Sequence, residues 1–108
     1  MKSHSKYNKE QQKAFVDIDE TICFFDGDRI YENAIPNYDN IKKINKLYED
    51  GWYITYWTSR GGLCKIDYYS ITKEQLDNWG CKYHHVSVGE KPLYDLVIDD
   101  KAKRIEEL

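Results

Sequence analysis

Two short apolar runs in this chain each end in paired carboxylates. Ala14-Phe15-Val16 leads into Asp17-Ile18-Asp19-Glu20-Thr21, and Leu93-Tyr94-Asp95-Leu96-Val97-Ile98 closes on Asp99-Asp100. Apolar runs of this length bounded by polar residues read as buried strands. In an open α/β sheet, ligands bind at the carboxyl ends of the strands. Carboxylates held close together repel one another and need a cation or a shared proton. Mg²⁺ takes oxygen ligands and commonly uses one or two carboxylates beside a substrate phosphate. A lone Asp-x-Asp is an ordinary solvated turn, so the weight lies on the repetition of the pattern far downstream.

Between these runs the chain alternates strand and helix signals. Strand one is predicted over Ala14–Ile18, and Asp26-Gly27 between apolar pairs predicts a small hairpin hanging over its carboxyl end. Asn37 is placed to cap a helix whose Tyr38, Ile41, Ile44, Leu47 and Tyr48 share one face, with Gly51 at its end. A second strand, Trp52–Trp57, is followed by the polar, glycine-rich turn Thr58-Ser59-Arg60-Gly61-Gly62, which offers hydroxyls and backbone N–H groups to an anion. Thr72-Lys73-Glu74-Gln75 matches a capping box and predicts a short helix ending before Gly80. Tyr83–Val88 is a third strand, in which the adjacent His84 and His85 point to opposite faces. Leu93–Ile98 is a fourth, and Lys101–Leu108 a terminal helix.

This order predicts one α/β domain: a Rossmann-like, three-layer arrangement around a mostly parallel sheet of about four strands, with a flap hairpin. The 108 residues suffice for a single core. The polar composition of residues 1–13 predicts a loose tail, leaving 14–108 as the domain. A formal net charge of −3 disfavours nucleic acid as a partner. No apolar run approaches a membrane span and the start lacks a signal-peptide core, so the cytoplasm is the expected compartment. Three cysteines without paired spacing argue against a disulfide framework.

In a parallel sheet the carboxyl edges lie on one side, so Asp17 with Asp19, Thr58 with Arg60, Lys91, and Asp99 with Asp100 converge. Four acidic side chains with a lysine, an arginine and a hydroxyl make a site for a phosphoryl group and a divalent cation.

These residues, in this order, resemble the motifs of the haloacid dehalogenase (HAD) superfamily phosphatases. Asp17-Ile18-Asp19-Glu20-Thr21 looks like their DxDxT motif. Thr58 is similar to the second-motif hydroxyl, Lys91 to the third-motif lysine, and Asp99-Asp100 to the fourth-motif acidic pair. The resemblance implies that Asp17 is the nucleophile and Asp19 the general acid and then base. Thr58 and Lys91 would hold the phosphoryl group, with Ser59, Arg60 and Gly61 as substrate contacts. Mg²⁺ would be held by Asp17, the carbonyl of Asp19, and Asp99 or Asp100, and Thr21 would brace the loop.

Only 15 residues, Ile22 to Pro36, separate Thr21 from the first helix, too few for a folded cap. The chain thus resembles the capless class, whose sites face large substrates or are closed by a neighbouring subunit, so a homo-oligomer is one implication. Tyr31–Pro36, Tyr56–Gly61 and Lys91–Asp95 further resemble small HAD phosphatases encoded with bacterial capsule and surface-polysaccharide genes, which implies a small phosphorylated sugar or polyol as substrate. Alternatives are a polynucleotide 3′-phosphatase, a phosphoprotein phosphatase, and a non-catalytic Mg²⁺- or phosphate-binding module.

Overall fold

The structure, a computed structural model, describes residues 11–108. Three parallel strands form the sheet: β1 (Lys13–Asp17), β4 (Tyr53–Thr58) and β5 (His85–Val88), in the order β1-β4-β5. β2 (Cys23–Phe24) and β3 (Ile35–Pro36) form a separate antiparallel ribbon. Helix α1 (Tyr38–Glu49) makes the crossover from β1 to β4, and α2 (Tyr69–Asn78) the crossover from β4 to β5. Residues 1–10 of the predicted tail lie outside the described residues. Gln11 to Lys13 belong to the fold: Gln11 Nε2 donates to the Gly51 carbonyl at 3.0 Å, Tyr53 N–H donates to the Gln12 carbonyl at 2.8 Å, and Lys13 opens β1.

Local chemistry explains α1. The Asn37 side chain accepts from the Asn40 N–H at 3.0 Å, supplying one partner to the open N-terminus. Gly51, at φ 101°, takes the left-handed conformation that ends the helix. Ile41 and Ile44 are buried with Val16, Ile54, Tyr56, Leu76 and Val86, so both helices cover the same face of the sheet. On the other face Phe15, Tyr53, Thr55, Trp57, His85 and Ser87 line a groove, and no helix among the described residues covers it. The described residues therefore make two layers rather than the predicted three.

Four further expectations change. The ribbon pairs Cys23 and Phe24 with Pro36 and Ile35 across a long loop rather than turning at Asp26-Gly27, which sits in a bend of that loop. Helix α2 starts at Tyr69, whose N–H is accepted by Asp67 Oδ1 at 2.9 Å, and Thr72 is buried within it rather than capping it. The end of the chain forms only a 3₁₀ turn over Ile105–Glu107. Leu93–Ile98 joins no sheet among the described residues, and its side chains are exposed. No helix is long and apolar enough to cross a membrane among the described residues.

Candidate functional site at the carboxyl edge of the sheet

Asp17 ends β1, and the chain then folds into a tight turn. Thr21 N–H and Ile22 N–H both donate to the Ile18 carbonyl, at 3.1 and 3.0 Å, and Glu20 N–H donates to the Cys23 carbonyl at 2.8 Å. Glu20 adopts φ 65°, a conformation that non-glycine residues take mainly where surrounding contacts impose it. The turn returns Thr21 to Asp17, and its hydroxyl donates to Asp17 Oδ2 at 3.3 Å. Across the edge, Lys91 Nζ lies 3.9 Å from Asp17 Oδ1. The same ammonium donates to Tyr94 Oη at 2.7 Å and sits over the Tyr94 and Trp57 rings. These contacts position the charge beside Asp17.

Asp17 has its carboxyl pushed above the ordinary carboxylate range. Burial is the main cause and Asp19 adds to it, while Lys91, the Ile18 N–H and Thr21 pull the other way. A raised carboxyl contributes stability that is complete below the ordinary value of 3.8 and is lost as pH rises through its value in the folded state. At neutral pH the ionised Asp17 opposes folding. Asp17→Asn is therefore expected to melt higher than wild type at pH 7, with the gap closing below about pH 4. Calorimetry of both proteins across that range checks this, and a lower melting temperature for the variant at pH 7 would refute it.

Asp19 is buried and lies in a bidentate pair with Arg60: Nε to Oδ2 at 3.0 Å and Nη2 to Oδ1 at 2.7 Å. Arg60 Nη1 donates to Thr72 Oγ1 at 3.0 Å and to Gln75 Oε1 at 2.7 Å, and the guanidinium packs over the Tyr31 ring at 4.7 Å. Gln75 Nε2 then donates to the Tyr31 carbonyl at 2.6 Å. Arg60 is only 1% exposed, so it is not the substrate contact its place in a glycine-rich turn predicts. It joins the first turn, α2 and the loop between β2 and β3 around Asp19. Tyr31, Thr72 and Gln75 are the residues sequence reasoning misses here. The one available signal, the polar set at Thr72–Gln75, reads as a helix cap instead.

Thr58 ends β4, buried, and its Oγ1 accepts the Arg60 N–H at 3.2 Å. The turn beyond it, with Ser59 half-buried, needs glycine. Gly61 has φ 78°, and a Cβ there would collide with the Ile66 carbonyl oxygen. Beside this turn lies a cleft of about 320 Å³, lined by Gly61, Gly62, Lys65, Tyr68, Val88 and Gly89 among others.

The edge thus gathers Asp17, Asp19, Thr58 and Lys91. It does not gather Asp99 and Asp100. Both are exposed; Asp99 accepts from the Lys101 N–H at 2.9 Å and Asp100 pairs with Lys101 Nζ at 3.1 Å. Asp19 spends both carboxylate oxygens on Arg60. Asp17 is left without a second carboxylate facing it, and no group of three metal-ligating side chains forms among the described residues. Among the described residues the edge offers a divalent cation the Asp17 carboxylate, and Mg²⁺ is commonly held by one or two carboxylates with phosphate oxygens and water completing its shell.

No protein-family model and no curated protein matches the chain. Among solved structures, a structural-genomics target from Vibrio cholerae is similar, with 27% sequence identity and a TM-score of 0.77, over 90% of this chain and 86% of that one. The likeness supports the α/β architecture and carries no functional name.

Proposed function

We propose that the protein is a phosphomonoester hydrolase of the HAD type, Rossmann-like and capless, that works through Asp17. The observation that carries this reading is the meeting of Asp17 with Lys91, a cation from 74 positions downstream, at the carboxyl edge of a parallel sheet. A carboxylate with a fixed ammonium beside it suits attack on phosphorus. The cation balances the charge that accumulates between an anionic nucleophile and an anionic phosphoryl group. An Asp17 oxygen bonds to phosphorus as the bond from phosphorus to the ester oxygen breaks. That oxygen leaves with a proton as an alcohol. Water then attacks phosphorus, releasing phosphate and restoring the carboxylate.

Asp19 is the proposed proton carrier. Its two bonds from Arg60 fix its place, and donation requires the carboxyl to free one oxygen from that fork. Thr58 and the amides of Ser59 and Gly61 are the proposed donors to the phosphoryl oxygens, since the Arg60 and Gly62 N–H groups already bond Thr58 Oγ1 and the Ser59 carbonyl. The cleft of about 320 Å³ beside Gly61 and Gly62 has room for a small phosphorylated sugar or polyol, and the net charge of −3 speaks against oligonucleotides. Mg²⁺ belongs to the proposal as the counter-ion of the phosphoryl group. Asp17 would hold it, with phosphoryl oxygens and water completing its shell.

The test is hydrolysis of a panel of sugar phosphates, polyol phosphates, nucleotides, 3′-phosphorylated oligonucleotides and phosphopeptides, with and without Mg²⁺. Turnover of the small phosphates is expected. Turnover confined to oligonucleotides or phosphopeptides would overturn the substrate class, and phosphate binding without any turnover would leave a binding module.

A further inference from the structure

Leu93–Ile98 has the composition of a strand interior and none of its surroundings. Ile98 is 90% exposed and Leu96 74%. No main-chain N–H from Leu93 to Ile98 donates to a backbone carbonyl among the described residues. Alternation places Tyr94, Leu96 and Ile98 on one side and Leu93, Asp95 and Val97 on the other, so one face is apolar throughout and the other is apolar at either side of a single carboxylate. The segment is held at both ends. Lys91 sits beside Asp17, and the Ile105 carbonyl accepts from Lys43 Nζ at 3.2 Å as Ile105 packs on the core.

The outer edge of β1 at Phe15 and Asp17 has no partner strand among the described residues. Tyr53 N–H bonds the Gln12 carbonyl, and the parallel register repeats every two residues. Ala14 and Val16 therefore bond β4, which turns the main-chain groups of Phe15 and Asp17 toward the outer edge. No strand among the described residues pairs there, and the Phe15 side chain is 62% exposed. An open edge with an apolar side chain is a template for another strand.

The segment cannot fill that edge within its own chain and also bring Asp99 to Asp17. Six residues of strand span about 20 Å, so the two ends of the segment lie at opposite edges of the sheet. Its start is tied by Lys91 to the carboxyl edge, with only Pro92 between. Running parallel to its own β1 would require a return to the amino edge, a crossover that takes a dozen or more residues. Four residues, Gly89 to Pro92, separate β5 from Leu93. A second copy lying alongside in the opposite direction removes the conflict. Each segment leaves its own carboxyl edge, which is level with the other copy's amino edge, and runs parallel to the other copy's β1.

We infer that the working unit is a reciprocal pair, in which Leu93–Ile98 of each chain forms a strand on β1 of the other and delivers Asp99 and Asp100 to the other's Asp17. Each site then combines Asp17, Asp19, Thr58 and Lys91 of one chain with the acidic pair of its partner, and so places further carboxylates beside Asp17, where a divalent cation commonly uses one or two. The role of the delivered carboxylates rests on the phosphatase reading, whereas the exchange of strands does not.

The experiment has a structural arm and a functional arm. In a Cys64→Ser background, Phe15→Cys with Val97→Cys is oxidised and its mass read on a denaturing gel, beside light scattering of the wild-type protein. A wild-type dimer and disulfide-linked pairs of chains are expected. A monomer in solution, or a bond closed within one chain, would overturn the exchange whether or not the protein hydrolyses anything. In the functional arm, Asp17→Asn is co-expressed with the Asp99→Asn, Asp100→Asn double variant. Each is expected to be inactive alone, and the mixture to recover about one quarter of wild-type turnover, since half of randomly paired dimers are mixed and each holds one intact site. A dimer of active wild-type chains whose variants give no recovery when mixed would overturn the sharing of the site. An inactive wild type that still cross-links between chains would sink the phosphatase reading and leave the strand exchange standing.

Discussion

Replacing Arg60 with leucine is expected to destabilise the fold by about 3–5 kcal/mol, the usual cost of removing one partner of a buried ion pair. The Arg60 and Asp19 side chains are 0% and 8% exposed, so the carboxylate left behind keeps only the weak Cys23 thiol donor, 3.5 Å from Oδ1, in place of the fork. The loss extends further. Thr72 Oγ1 and Gln75 Oε1 lose their donor, and Tyr31 loses the cation under its ring. Urea unfolding reads this as a lower midpoint with an unchanged slope. Arg60→Leu combined with Asp19→Leu is expected to recover much of the deficit, because two apolar side chains of suitable size can replace a buried pair. A single-variant loss below about 1 kcal/mol would place the pair among exposed ion pairs, which contribute little, and would remove Arg60 as the organiser of Asp19.

Arg60 also marks where the sequence is legible and where it is not. Signals set by near neighbours read correctly: Asn37 caps α1, Gly51 ends it, and the apolar runs at Val16, Ile54–Tyr56 and Val86 become parallel strands. The elements that bring Asp17, Asp19, Thr58 and Lys91 to one edge follow from that pattern. What fails is decided by distant partners. An arginine in Thr58-Ser59-Arg60-Gly61-Gly62 looks solvent-exposed until Asp19, 41 positions upstream, and Gln75 close around it. Thr72 looks like a cap because Thr-x-x-Gln is a capping pattern, yet its hydroxyl is claimed by Arg60 and Asp67 serves the helix start. Leu93–Ile98 is the sharpest case. Its Tyr94, Leu96 and Ile98 face is apolar throughout, and among the described residues it has neither cover nor a neighbouring strand. The apolar pattern is legible, but composition alone does not say what covers it.

Asp17→Asn is expected to lower kcat for a small phosphomonoester by a factor on the order of 10⁴ or more while KM changes little, the signature of losing the bond-forming group rather than a binding contact. An amide oxygen is a poor nucleophile toward phosphorus, but it keeps the shape of the carboxyl and can still accept from Thr21. Wild-type protein quenched in acid during turnover is expected to carry phosphate that hydroxylamine releases, as an aspartyl-phosphate does, and Asp17→Asn to carry none. Loss of activity in a variant often means loss of fold. Here the two effects have opposite signs: burial holds the Asp17 carboxyl above its ordinary range despite Lys91, so the neutral amide is the more stable choice at pH 7. A variant that melts higher, binds phosphate and turns over nothing can have lost only chemistry. If Asp17→Asn instead retains turnover within tenfold of wild type, the nucleophile lies elsewhere. The Asp17–Lys91 contact would then be an ordinary half-buried ion pair at the end of a strand.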